Sequence, residues 1–173
     1  NDLNPYIDLC QKLCEKSGDI IMEYFRKPFE IIDKADKGPS VYSPVTEADR
    51  RAEEIIRKLI GEAFPEHGVR GEEYSDFTTG SRYVWVVDPI DGTKSFISGL
   101  PTWGTLIALL KDEKPILGAM NQPFVGDRFI GIHNLATLND NKIATRECKR
   151  LEDATLAITD PEMLQTTAQR KAF

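Results

Sequence analysis

Histidine and cysteine are scarce in this chain. Only His67 and His133 occur among its 173 residues. That argues against a histidine-rich zinc site and against a Ser-His-Asp triad. The cysteines are Cys10, Cys14 and Cys148, an odd and sparse set. They exclude a disulfide framework and fit a reducing compartment. Cys10 and Cys14 stand four apart with no further Cys or His nearby, so they read as buried thiols rather than half of a zinc site. No run of about 18 apolar residues occurs, so no membrane span and no membrane partner is expected. The opening Asn1-Asp2-Leu3-Asn4-Pro5 lacks the charged and apolar regions of a signal peptide. A cytoplasmic protein is expected, with a mature organellar form as the alternative. Positive charge is also short. Lys and Arg number 22 against 28 Asp and Glu, a net charge of −6. That sign is wrong for a nucleic-acid partner and right for gathering cations. The chemistry must therefore lean on carboxylates and other oxygens.

What is present is patterned. Apolar residues at Leu3, Ile7, Cys10, Leu13, Cys14, Ile20, Ile21, Tyr24 and Phe25 recur in steps of three and four, predicting a helix over about residues 4–26. Pro28 ends it. Residues 29–32 read as a short strand, and 33–44 as a loop. Thr46 is an N-cap candidate with Asp49 three residues on, the spacing of a capping box. Ala52, Ile55, Ile56, Leu59, Ile60 and Phe64 give the second helix its apolar face, and Pro65 closes it. Val84-Trp85-Val86-Val87 is a continuous apolar run, the mark of a strand buried on both faces. Residues 103–110, 115–120 and 128–132 read as further strands joined by tight turns, an antiparallel meander. Residues 155–159 suggest one more strand, and Asp160 a cap for a last helix. Helices first and strands after imply one α+β domain over residues 1–173, a helix pair packed on a largely antiparallel sheet.

The informative stretch is Asp88-Pro89-Ile90-Asp91-Gly92-Thr93. A strand delivers Asp88 to its C-terminal end, Pro89 stiffens the turn, and Gly92 permits close backbone approach. Asp91 stands where it would cap a short helix through Lys94, Ser95 and Phe96. Two carboxylates on one tight turn beside a helix start suit Mg²⁺ and phosphate respectively. Gly71-Glu72-Glu73 and Thr46-Glu47-Ala48-Asp49 each supply a further carboxylate pair. The bland readings are turn formation for Asp88 to Gly92, solvated charges for Glu72 and Glu73, and a capping acid for Asp49.

In order and spacing, Val45-Thr46-Glu47-Ala48-Asp49, Gly71-Glu72-Glu73 and Trp85 through Phe96 resemble the inositol monophosphatase family of Mg²⁺-dependent, lithium-sensitive phosphatases. The resemblance implies the layered αβαβα sugar-phosphatase fold, with this chain as its N-terminal portion. It implies two or three Mg²⁺ ions held by Glu72, Asp88, the Ile90 carbonyl and Asp91. Asp91 and the backbone N–H groups of Gly92 and Thr93 would receive the phosphate. The Thr93 hydroxyl, with Asp49 or Glu72, would orient the attacking water as the catalytic set. The substrate would be a small phosphorylated metabolite, and the protein a homodimer. The loop over residues 33–44 resembles the family's mobile loop, where Lys34 or Lys37 would approach the site or stay solvated.

Lys94-Ser95-Phe96-Ile97-Ser98-Gly99, the Gly104 to Leu110 stretch, Pro115-Ile116-Leu117-Gly118 and Gln122-Pro123 resemble the histidinol-phosphate phosphatases within that family. They imply L-histidinol phosphate as substrate, in histidine biosynthesis, with inositol 1-phosphate or a related sugar or nucleotide ester as the alternative. Family members carry a further α/β half with a Trp-Asp motif that completes the second metal site. Here Trp85 and Trp103 are followed by Val86 and Gly104, so that half is expected to be absent. Its absence supports a rival reading, a non-catalytic metal-binding or assembly module. A haloacid dehalogenase-type phosphatase is a remoter rival. Its Asp-x-Asp-Gly-Thr motif has one residue between the aspartates, whereas two separate Asp88 from Asp91.

Overall fold

A computed structural model describes residues 2–27, 31–33, 44–155, 157, 166 and 168. Residues 1–143 form one compact unit and residues 144–173 a second. In the second unit, Leu151–Asp153 make one turn of 3-10 helix and the Arg146 guanidinium donates to the Asp153 carbonyl at 2.5 Å. Thr155 and Ala157 belong to no strand; the rest of the strand expected over 155–159, and Asp160, lie outside the described residues.

Two helices open the first unit. Helix α1 (Asn4–Met22) carries a proline in its first turn, where a missing N–H costs nothing. It ends four residues earlier than the apolar spacing predicts, because residues 23–26 continue only as turns. Its inner face buries Leu9, Cys10, Leu13, Cys14, Ser17, Gly18 and Ile21. Cys10 and Cys14 are thus the buried thiols expected of them. Strands β1 (Ile31–Asp33) and β2 (Pro44–Thr46) pair antiparallel as a separate two-stranded sheet. Helix α2 (Glu47–Ala63) places Glu47 and Asp49 in its first turn, where acids favour the positive end of the helix dipole.

The main sheet has seven strands in sequence order: β3 (Gly68–Arg70), β4 (Tyr83–Asp91), β5 (Gly104–Lys111), β6 (Lys114–Gln122), β7 (Asp127–Ile132), β8 (Leu135–Leu138) and β9 (Asn141–Ile143). Only the β3–β4 pair is parallel; every other pair is antiparallel. The β5–β6 turn uses Asp112 and Glu113, both at positive φ (52° and 60°), which matches the twist of the strands it joins. Arg82 and Arg70 reach across to these two carboxylates, at 2.6 Å to Asp112 Oδ1 and 2.6 Å to Glu113 Oε1.

One face of the sheet is covered. Trp85, Val87, Ile107, Leu109, Leu117, Ala119 and Ile130 pack against Leu9, Leu13, Ile56 and Ile60 of the helices. Each such aliphatic side chain adds about 1.5–3 kcal/mol over leaving it in water. The expectation of a β4 buried on both faces is corrected here. Val84 and Val86 are only half-buried, while Trp85 and Val87 are buried. A continuous apolar run carries no mark of which face a helix covers, and among the described residues α1 and α2 lie on one side only.

Candidate active site

The site sits where β4 ends. In a regular strand, residues three apart point to opposite faces. Here Asp88 pairs with Leu106 and Asp91 with Gly104, so β4 spends three steps where β5 spends two. This bulge restores one side to both carboxylates. Pro89 suits the irregular position, having no N–H to leave unpaired. The bulge is pinned from β5, where the buried Thr105 hydroxyl donates to the Pro89 carbonyl at 2.8 Å. Ile90 is buried in a second apolar cluster with Ala48, Ala52, Phe96 and Trp103. That cluster seats the first turns of α2 beneath the strand end and so brings Asp49 towards Asp88.

Gly92 follows with φ of 86°. A Cβ there would stand 2.8 Å from the Thr102 carbonyl oxygen, so both conformation and space demand glycine. Gly92, not Asp91, is the N-cap of α3 (Thr93–Ile97), and no side chain caps that helix. The capping reading of Asp91 is therefore corrected: a left-handed residue intervenes, and Asp91 is exposed at the strand end. The Thr93 hydroxyl donates to the Ile90 carbonyl at 3.1 Å.

Glu72 comes from the irregular stretch after β3. It is exposed, yet it interacts with Asp88, so it is more than a solvated loop charge. Asp49 is buried on α2. Asp88 feels all of them. Burial first, then the charge of Glu72, then that of Asp91, a hydrogen bond with Glu72 and the charge of Asp49 push its pKa up from 3.8 to about 7. Its Oδ1 is buried and has no hydrogen-bond partner among the described residues. Three carboxylates thus act on one orphaned, hard oxygen of a fourth, an arrangement a divalent cation relieves. No ready-made cage of three or more His, Cys, Asp or Glu side chains exists among the described residues. Glu72, Asp88, Asp91 and the Ile90 carbonyl are nonetheless a donor set suited to Mg²⁺. Lys34 and Lys37 lie outside the described residues, as does the side chain of Thr46.

Two residues here escaped the sequence reading. One is Thr105; a threonine in a strand gives no warning that it faces a bulge. The other is Glu53, fully buried on α2. Its signal was available: it stands four residues from Asp49 and three before Ile56, a charge on the apolar stripe of the helix.

Beyond Asp88 an open groove of about 550 Å³ crosses the uncovered face of the sheet, over Leu106, Ala108, Gly118, Met120 and Gly131. Among the described residues, no helix is long and apolar enough to cross a membrane.

Fold and site together define an α+β protein with an acidic cluster at a bulged strand end. The chain belongs to the inositol monophosphatase family, whose model matches residues 2–171. It is 44% identical over 172 residues to the chloroplastic bifunctional phosphatase IMPL2 of Arabidopsis thaliana, covering 98% of this chain and 48% of that one. A histidinol-phosphatase of Chlorobaculum parvum is 35% identical over 164 residues, 94% of this chain and 61% of that one. The fold agrees with the crystal structure of the extragenic suppressor protein SuhB of Bartonella henselae, with a TM-score of 0.76 at 27% identity over 84% of this chain and 56% of that one. The chain thus spans about half the length of the relatives it matches.

Proposed function

We propose that this chain carries the cation- and phosphate-binding part of a Mg²⁺-dependent phosphomonoesterase acting on a small phosphorylated metabolite, in first place L-histidinol phosphate. The observation that carries the reading is the gathering of Glu72, Asp91 and Asp49 around the orphaned Asp88 oxygen. Glu72, Asp88, Asp91 and the Ile90 carbonyl would hold two or three Mg²⁺ ions. Bound there, Mg²⁺ supplies Lewis-acid polarisation of the phosphoryl group and makes water acidic enough to attack near neutral pH. The chain's own groups do the rest. The backbone N–H groups of Gly92 and Thr93, at the start of α3, receive the phosphate oxygens. The Thr93 hydroxyl, set by the Ile90 carbonyl, orients the attacking water, and Asp49 or Glu72 takes its proton. No residue needs to form a covalent bond to phosphorus.

The name of the Chlorobaculum parvum relative supports histidinol phosphate, and the family as a whole supports inositol 1-phosphate as the second substrate. Phosphate release from both esters by the whole chain, in Mg²⁺ with and without Li⁺, tests the reading. Lithium-inhibited release from histidinol phosphate, abolished in Asp91→Asn, is expected. Release that persists undiminished in Asp91→Asn, or without Mg²⁺, overturns the ligand assignment. A chain that takes up Mg²⁺ but releases no phosphate supports a binding module instead.

A further inference from the structure

Glu53 is a carboxylate with no exposed surface, placed on the core stripe of α2. Its Oε1 accepts from Arg57 Nε at 2.7 Å, and its Oε2 accepts from the backbone N–H of Glu73 at 2.8 Å. Arg57 Nη2 donates in turn to the Tyr74 carbonyl at 3.1 Å. On the other side of Glu72, a Cβ built on Gly71 would stand only 1.9 Å from Glu53 Oε1, so the glycine lets the backbone lie directly on the carboxylate. Residues 71, 73 and 74 therefore all rest on one Glu53–Arg57 pair, and Glu72 is the residue between them.

We propose that Glu53, with Arg57, is a positioning residue. It clamps the irregular stretch 71–74 to α2 so that the Glu72 carboxylate meets Asp88 in the geometry a divalent cation needs. The inference rests on the reading of Glu72 as a cation ligand. The physical reason is the chemistry of the tie. A helix holds a neighbouring loop adequately through apolar contact, whereas a buried ion pair costs desolvation and adds little net stability. What it adds is direction. One oxygen fixes the backbone N–H beside Glu72, and the other fixes the guanidinium that fixes the next carbonyl. Glu72 belongs to no strand or helix, so it has no ladder of its own to aim it. Groups that orient a ligand from behind typically govern metal affinity about 10- to 100-fold.

The test compares the whole chain with Glu53→Gln and with the double variant Glu53→Met/Arg57→Met, which leaves no lone charge buried. Mg²⁺ binding is read by titration calorimetry at constant ionic strength. Amide hydrogen exchange of residues 72–74 is read without Mg²⁺. In the folded double variant, Mg²⁺ affinity is expected to fall about 10- to 100-fold and these amides to exchange faster. Glu53→Gln, which keeps an acceptor for the Glu73 N–H but loses the ion pair with Arg57, falls less, though still by more than about twofold. Affinity within about twofold of the unchanged chain overturns the proposal, as does faster exchange with unchanged affinity, since the pair would then be only a tether. Should the double variant not fold, Glu53→Gln decides on the same criterion. An unchanged chain that binds no Mg²⁺ overturns the ligand reading itself, an outcome separate from any difference between variants.

Discussion

At the scale of single residues, burial decides what each titratable group does. Asp88 is a carboxylate made reluctant to ionise by burial first and by its acidic neighbours second, and it sits where a cation would reverse that. His67 is the opposite case, a ring kept neutral for structural reasons. It is buried between Phe64 and Tyr83, stacked at 4.7 and 4.9 Å. Trp85 Nε1 donates to its Nδ1 at 3.1 Å, which assigns the proton to Nε2, on the side of Glu66. Burial draws its pKa below the ordinary 6.5, against a smaller pull from Glu66. The folded chain therefore stays unprotonated at a pH where the unfolded chain has already taken a proton. His67's share of stability is whole above pH 6.5 and is lost as pH falls from 6.5 to the folded value. Urea midpoints should drop as pH falls below 6.5, and His67→Gln, which keeps an acceptor for Trp85, should flatten that slope. An unchanged slope in the variant would remove His67 as its source.

At the scale of elements, the informative one is β4, because its irregularity makes the site. Its apolar run forecasts a strand, but the bulge at Pro89 and Ile90 decides that Asp88 and Asp91 share a side. Thr105 holds that bulge from the next strand. Thr105→Val keeps the volume and strips the hydroxyl that donates to the Pro89 carbonyl at a buried position. A loss of about 1–3 kcal/mol is expected in urea unfolding. Thr102→Val is the control: its hydroxyl bonds the Ser95 hydroxyl at 3.0 Å but is exposed, so a change within about 0.5 kcal/mol is expected. Equal costs at both positions would mean that the bulge is held by its apolar cluster alone. The same view explains why α2 was read well and Glu53 was not. A 3.6-residue period fixes which residues face inward, and it is silent on whether an inward charge finds a partner.

At the scale of the whole molecule, the sheet is two-faced. Paired across the strands run Val86, Ala108, Gly118, Gly131 and Ala136, a row of small residues that makes the floor of the groove. A Cβ added to Gly118 or Gly131 would meet nothing within 4 Å, so the space above them is open. Met120, 37% exposed, stands at its side. Open apolar surface of this kind takes up hydrophobic dyes. The native chain should therefore enhance the fluorescence of anilinonaphthalene sulfonate, and Met120→Lys should weaken that signal without lowering the melting temperature by more than about 2 °C. A native chain dark to the dye would show the groove closed in solution.

Sequence and tertiary structure divided the work along a physical line. Sequence alone determined what is local or periodic: the two amphipathic helices, the meander with its turns at Asp112 and Glu113, the buried thiols, and the acidic motifs whose order carries the family. It missed β2, β3, β8 and β9, strands of three or four residues too short for alternation to rise above chance. Only the tertiary structure decided what depends on partners distant in the chain. It decided which face of β4 a helix covers, because an apolar run is blind to sides. It decided that Asp88 and Asp91 point together, because a bulge is a mismatch between two strands. And it decided that Glu53 meets the backbone on both sides of Glu72, because a buried charge takes its meaning from whatever packs against it.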